Sequence, residues 1–217
     1  VIPSLYHKHR NPAVLRRTGV PGTVMLTFDD GPDPDYTGRL LDLLKKEEVK
    51  AAFFVVTREA VKEEALIDRM LSEGHVVGFH SMDHQNAMVR GYLHTRKDFR
   101  TGSEFMKRKG ISDIWYRPPW GLTNLFSWHL ARKYGMKMVL WDVMAEDWER
   151  GATAGSIRKK CLSRVKDGSI LCLHDGGRRT GGAPGAPEKT LEALTYVIPA
   201  LKEAGCRFIL PSEAVFR

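Results

Sequence analysis

Two carboxylates stand side by side in Thr27-Phe28-Asp29-Asp30-Gly31-Pro32, where an apolar run ends. Val24 to Phe28 alternates as a strand does, and Gly31-Pro32 halts it. Neighbouring side chains on a strand point to opposite faces, but a bend at the strand end lets both acids reach one cleft. Close carboxylates repel unless a cation or an arginine shares the site. An Asp-Asp pair before Gly-Pro also fits a plain solvated turn, so the rest of the chain must decide between the two.

Further along, His80-Ser81-Met82-Asp83-His84 carries two histidines four residues apart. At helical spacing both imidazoles face one point, and with a carboxylate from another strand they make a two-histidine, one-aspartate set. That set leaves positions open for water. It suits a catalytic divalent metal, with Zn²⁺ expected and Co²⁺, Ni²⁺ or Mn²⁺ as alternatives, rather than a closed structural site. Asp30 is the expected third ligand, which leaves Asp29 free to act as a base. Arg117, held before Pro118-Pro119, is expected to pair with Asp29 and keep it ionised. Trp120 and Gly121 bring backbone N–H groups near the cleft as oxyanion donors. His174 ends the apolar run Ser169 to His174 and fits the general acid, with Asp147 the leading candidate to orient it. Trp148 is the aromatic candidate for a sugar-binding groove, whereas Trp141 reads as core.

These groups need a scaffold that gathers strand ends. Apolar runs at 23–29, 51–57, 75–80, 114–117, 136–142, 169–174 and 207–210 read as about seven strands. Helical patterns at 36–48, 59–73, 94–109, 124–134, 153–166 and 188–204 separate them, with Asn124 capping its helix. Strict alternation predicts an α/β fold with a parallel sheet, closed as a barrel or open and doubly wound. Asp29, Asp30, His80, Arg117, Asp142, His174 and Asp175 all fall at or just past strand C-termini, the face that carries the active site in parallel α/β barrels. Residues 1–22 read as an irregular N-terminal arm, and 23–217 as one domain.

Composition sets the outer limits. The chain has 217 residues, 42% hydrophobic and 28% charged, as a globular domain would. It has no apolar run near the roughly 18 residues of a membrane span. It begins at Val1 without Met or a basic-apolar leader, as a trimmed or mature form would. Cys172 and Cys206 lie in apolar runs and read as buried hydrophobes, not a disulfide framework. A net charge of +8 favours anionic surroundings, but no nucleic-acid motif accompanies it.

In order, TFDDGP, HSMDH, RPPWG, the DW of WDVMAEDW and ILCLHD resemble the five motifs of the polysaccharide deacetylases of carbohydrate esterase family four. The resemblance runs from about Thr23 to Leu210. It implies a distorted (β/α) barrel with about seven parallel strands in a single domain. It implies Asp29 as base, Asp30, His80 and His84 as metal ligands, and Arg117 as the tether of Asp29. His174 would be the acid supported by Asp147, Trp120 a backbone donor, and Leu173 part of the acetyl pocket. Phe79 stands where Asn is frequent in the family, and Trp120 where Tyr is commoner.

The expected function is metal-dependent removal of acetyl groups from an N-acetylated glycan. Peptidoglycan is preferred over chitin-type oligosaccharides because a basic protein suits an anionic wall. A monomer at the surface of a bacterium is expected, with no nucleic-acid partner; a cytoplasmic site is the alternative. Competing readings are an amide hydrolase acting on a small molecule or glycolipid, with Arg178 and Arg179 holding an acidic substituent, an acetylxylan esterase, and a non-catalytic glycan-binding barrel.

Overall fold

The computed structural model describes Leu5 and residues 9–216. Its organising strand is β2 (Thr23–Asp29), buried along its whole length. Such an uninterrupted buried run belongs to the middle of a parallel sheet covered on both faces. Around it stand β1 (Val14–Leu15), β3 (Ala52–Val55), β4 (Val76–Phe79), β5 (Ile114–Tyr116), β6 (Met136–Val139), β7 (Val143–Met144) and β8 (Ile170–His174). The order is β1-β6-β5-β4-β3-β2-β8-β7, every ladder is parallel, and β9 (Arg207–Phe208) pairs with the start of β2. The sheet curls into a half-barrel with helices outside.

Those helices are α1 (Thr37–Lys46), α2 (Thr57–Lys62), α3 (Glu64–Ser72), α4 (Tyr92–Arg108), α5 (Ser127–Lys133), α6 (Ala154–Arg164) and α7 (Ala186–Glu203). The single helix expected at 59–73 is two, broken at Glu63, whose ψ of 43° is not helical. Asn124 precedes α5 by three residues and is not its cap. Its side-chain oxygen accepts from the Phe126 and Ser127 N–H groups, and its amide ties down the carbonyls of Ala87 and Arg90. A Thr153–Ser156 capping box starts α6.

Nine strands, not seven, are present among the described residues, and the additions are short. Val14–Leu15, within the stretch expected to be an irregular arm, pairs with β6. Residues 1–4 and 6–8 of that stretch lie outside the described residues. The strand expected at 136–142 stops at Val139 and resumes as β7. Asp142 intervenes, accepting from the Ile170 N–H and the Ser169 hydroxyl. With Arg17, 3.5 Å away and bridged to Ser169, it spans the opening where β1 and β7 do not pair. Asp142 is therefore a closure residue at the start of β8, away from the cleft where its sequence position suggested it.

Strand alternation sorts the side chains into two cores. Leu15, Met25, Ala52, Phe54, Trp115, Val139 and Ile170 fill the barrel interior. Val24, Leu26, Phe28, Phe53, Val77, Phe79, Tyr116, Leu171 and Leu173 face the helices. Above the interior apolar layer, the same inward parity places Thr27, Asp29, His80, Arg117, Cys172 and His174. One inward position has no room for a side chain: a Cβ on Gly78 would stand 2.8 Å from the Phe54 ring and 2.9 Å from the Trp115 carbonyl. Gly78→Ala should cost about 1–3 kcal/mol through overpacking, read as a lower denaturation midpoint at unchanged m-value.

Candidate active site

At the C-terminal end of the barrel, a cleft of about 370 Å³ is lined by Asp29, Asp30, His80, His84, Trp120, Trp148 and His174, with Cys172 at its base. Asp29 and His174 are direct register partners on β2 and β8. Pairing of Phe79 with Tyr116 likewise sets His80 beside Arg117. The sheet register thus brings residues up to 145 positions apart into one layer.

Arg117 is fully buried beneath that layer. Its Nη1 donates to Asp29 Oδ1 and to Thr27 Oγ1, each at 2.7 Å, and its Nη2 donates to the Leu140 carbonyl at 3.1 Å. Phe54 and Trp141 cover the guanidinium, with ring centres 4.1 and 5.3 Å from Cζ. Asp29 is thereby held by a fixed positive charge. The Cys172 thiol donates to its other oxygen at 3.4 Å. Burial, then the charge of Asp29, push that thiol well above its ordinary range, so it stays protonated.

Asp30 turns the other way because its backbone is left-handed, at φ 76°. Its Oδ1 lies 3.1 Å from His84 Nε2 and 3.5 Å from His80 Nε2. His80 and His84 do not converge through a helical turn as their spacing suggested. The chain between them is an irregular loop with Ser81 at φ 68° and His84 at φ 51°. Ser81 Oγ accepts from the His84 N–H, while Asp98 accepts from the Met82 N–H and holds the loop from behind. His80 Nδ1 donates to the Arg117 carbonyl at 2.7 Å, which leaves its Nε2 free for the cleft.

Asp30, His80 and His84 offer ligand atoms within 4.8 Å of one another. Burial opposes the charge of Asp30, yet the neighbouring rings of His80, His174 and His84 hold its carboxyl well below the usual range. Burial, then the charge of His80, bring the His84 ring down to about 4, so it is neutral at pH 7. Asp30 Oδ1 is buried with no hydrogen-bond partner. An ionised carboxylate oxygen without a donor beside two imidazole nitrogens is a set that fits a divalent cation.

Opposite stands His174. Its Nδ1 donates to Asp147 Oδ1 and its backbone N–H donates to Asp147 Oδ2, both at 2.8 Å; Thr190 donates to Oδ2 as well. Burial works against a charged ring, but the Asp147 charge and hydrogen bond, with Asp30 and Asp29, push His174 up to about 9. Its Nε2 is thus the protonated, cleft-facing nitrogen. Trp120, half exposed at φ 55°, packs its ring against His84 at 4.3 Å. Trp148 forms another wall.

Leu173 does not line this cleft. It is one residue out of step with His174 and packs among the helix-facing core, while Cys172 takes the cleft position. Arg178 and Arg179 are engaged by Asp35 and Glu59 of the same chain. Sequence reading also passed over Thr27, Thr190 and Thr180, whose hydroxyls bond Arg117, Asp147 and Asp30. No local pattern marks such hydroxyls.

A family profile described as polysaccharide deacetylase matches residues 16–139, a span that includes Trp120 but not Asp147 or His174. A peptidoglycan-N-acetylglucosamine deacetylase of Bacillus cereus is 33% identical over 192 residues, covering 88% of this chain and 86% of the relative. The crystal structure of a peptidoglycan N-acetylglucosamine deacetylase with 4-naphthalen-1-yl-N-oxidanyl-benzamide aligns with a TM-score of 0.83 at 32% identity, covering 93% of this chain and 92% of the other. A family 4 acetyl xylan esterase from Clostridium thermocellum, in complex with a cobalt ion, gives 0.78 at 33% identity, covering 88% and 89%.

Because Asp147 raises the His174 pKa, Asp147→Asn should lower it. In metal-free protein, histidine NMR should find the wild-type ring titrating near 9 and the variant ring well below it.

Proposed function

The chain belongs to the polysaccharide deacetylase family, and from that premise we propose peptidoglycan as its substrate and a role for each cleft residue. It is a metal-dependent hydrolase that removes acetyl groups from N-acetylated glycans. Two features favour peptidoglycan: the relatives that act on it and a net charge of +8, suited to an anionic wall. The enzyme then works as a monomer at a bacterial surface. Its catalytic unit is 23–217, with 1–22 as an arm that lends an edge strand. No helix among the described residues is long and apolar enough to cross a membrane.

The observation that carries the mechanism is the pairing of Asp29 and His174 across the sheet register, beside the Asp30, His80 and His84 set. Zn²⁺ is the proposed ion for that set, which Co²⁺ also suits. When bound, the ion polarises the acetyl carbonyl and lowers the pKa of water. Asp29, held in place by Arg117, takes a proton from the attacking water. The Trp120 N–H is directed at the carbonyl oxygen as negative charge develops there. His174 donates its Nε2 proton to the departing glycan nitrogen, and Asp147 stabilises the ring before and after transfer. Acetate and a free amine result. Trp148 stacks on a sugar face, and the acetyl methyl rests near Cys172 instead of Leu173.

Acetate release from peptidoglycan, N-acetylglucosamine oligomers and acetylxylan tests the substrate, using chelated protein before and after adding Zn²⁺ or Co²⁺. Peptidoglycan should lead; acetylxylan as the best substrate would move the assignment to an ester. Asp29→Asn should bind metal stoichiometrically yet lose about 10²–10⁴-fold in turnover. His80→Ala should lose the metal itself, and stoichiometric binding by that variant would overturn the ligand set.

A further inference from the structure

Thr180 lies in the glycine-rich loop 176–185, and its Oγ1 donates to Asp30 Oδ2 at 2.6 Å. The other oxygen of that carboxylate, Oδ1, faces the Nε2 atoms of His84 and His80 and receives no hydrogen bond. The two oxygens of one side chain are sorted, one to a hydroxyl and one to the paired imidazoles. We propose that Thr180 is a positioning residue for the metal centre, holding Asp30 as a one-oxygen ligand whose free oxygen is Oδ1. The proposal rests on the reading of Asp30, His80 and His84 as metal ligands.

An aspartate with both oxygens free can offer either, or both, to a cation. A donor on Oδ2 biases that choice toward Oδ1, because the hydroxyl competes with a second metal bond at that oxygen. The donor also restricts rotation of the carboxylate, and hydrogen bonds to ligands of this kind affect affinity as well as orientation. Local backbone geometry gives the contact its rigidity. Gly176 packs directly on Asp30, and a Cβ there would stand 2.8 Å from the Asp30 carbonyl carbon. Gly182 N–H donates to the Gly177 carbonyl and Ala183 N–H to the Trp148 carbonyl, each at 2.9 Å. Arg178 and Arg179 add ion pairs to Asp35 and Glu59. The loop therefore delivers the Thr180 hydroxyl from a fixed frame and ties it to the tryptophan wall of the cleft.

Full-length metal-free wild type, Thr180→Val and Thr180→Ser would be titrated with Zn²⁺ in competition with a chromophoric chelator. Valine keeps the branched shape without the donor and should weaken Zn²⁺ binding by about 10-fold or more, while serine should stay near wild type. Melting of the metal-free variants at the wild-type temperature would separate this from misfolding. Valine affinity equal to wild type, or serine as weak as valine, would overturn the proposal. The visible Co²⁺ spectrum gives a second readout. Freed Oδ2 raises the coordination number in Thr180→Val and lowers the d–d absorption, whereas an unchanged spectrum would refute one-oxygen ligation. Wild type that binds no ion would instead remove the underlying ligand assignment.

Discussion

A buried arginine is the constraint on which the site depends. Withdrawing a guanidinium from water costs several kcal/mol, and the cost is offset only where its N–H groups find partners. Arg117 finds them on three strands or their ends: Thr27 and Asp29 of β2, the carbonyls of Val139 and Leu140 at the end of β6, and the Cys172 sulfur of β8. Its own carbonyl accepts from His80. One residue thereby fixes Asp29, orients His80 and locks the interior of the half-barrel. Aromatic faces from Phe54 and Trp141 complete its surroundings with no further polar demand.

The remaining charges follow the same economy of partners. Three aspartates lie close together, and each has a distinct counterpart. Asp29 has the guanidinium, Asp30 has two imidazoles and a hydroxyl, and Asp147 has the ring of His174. Because the partners differ, so do the chemical states: one histidine is neutral beside its acid, another is protonated beside its own. Environment, not residue type, separates a neutral imidazole from a protonated one here.

Much of this was legible because parallel barrels place chemistry at strand ends, and strand ends can be read from apolar runs that stop at Gly or Pro. Asp29, Arg117 and His174 carry that signature. Asp147 was the leading candidate to orient His174, and the family resemblance sharpened its choice over Asp142; in the folded chain Asp142 closes the barrel and Asp147 meets His174. Leu173 was misplaced although side-chain parity was available: sharing a strand with His174 at odd spacing sends it outward. The path from His80 to His84 was hidden for another reason. Histidine spacing suggests a helix, but left-handed turns at Ser81 and His84 are set by bonds to distant segments. Thr180 was invisible because a hydroxyl 150 positions from its acceptor leaves no periodic trace.

Asp30, His84 and Trp120, which line the cleft, and Ser81, next to His80, are non-glycine residues with left-handed backbones. Each such residue costs of order 1–3 kcal/mol that the surrounding fold must absorb. In evolutionary terms this makes catalysis a standing burden on the scaffold. A descendant released from turnover could relax these turns one by one and become more robust, so decay of activity and gain of stability would follow the same path.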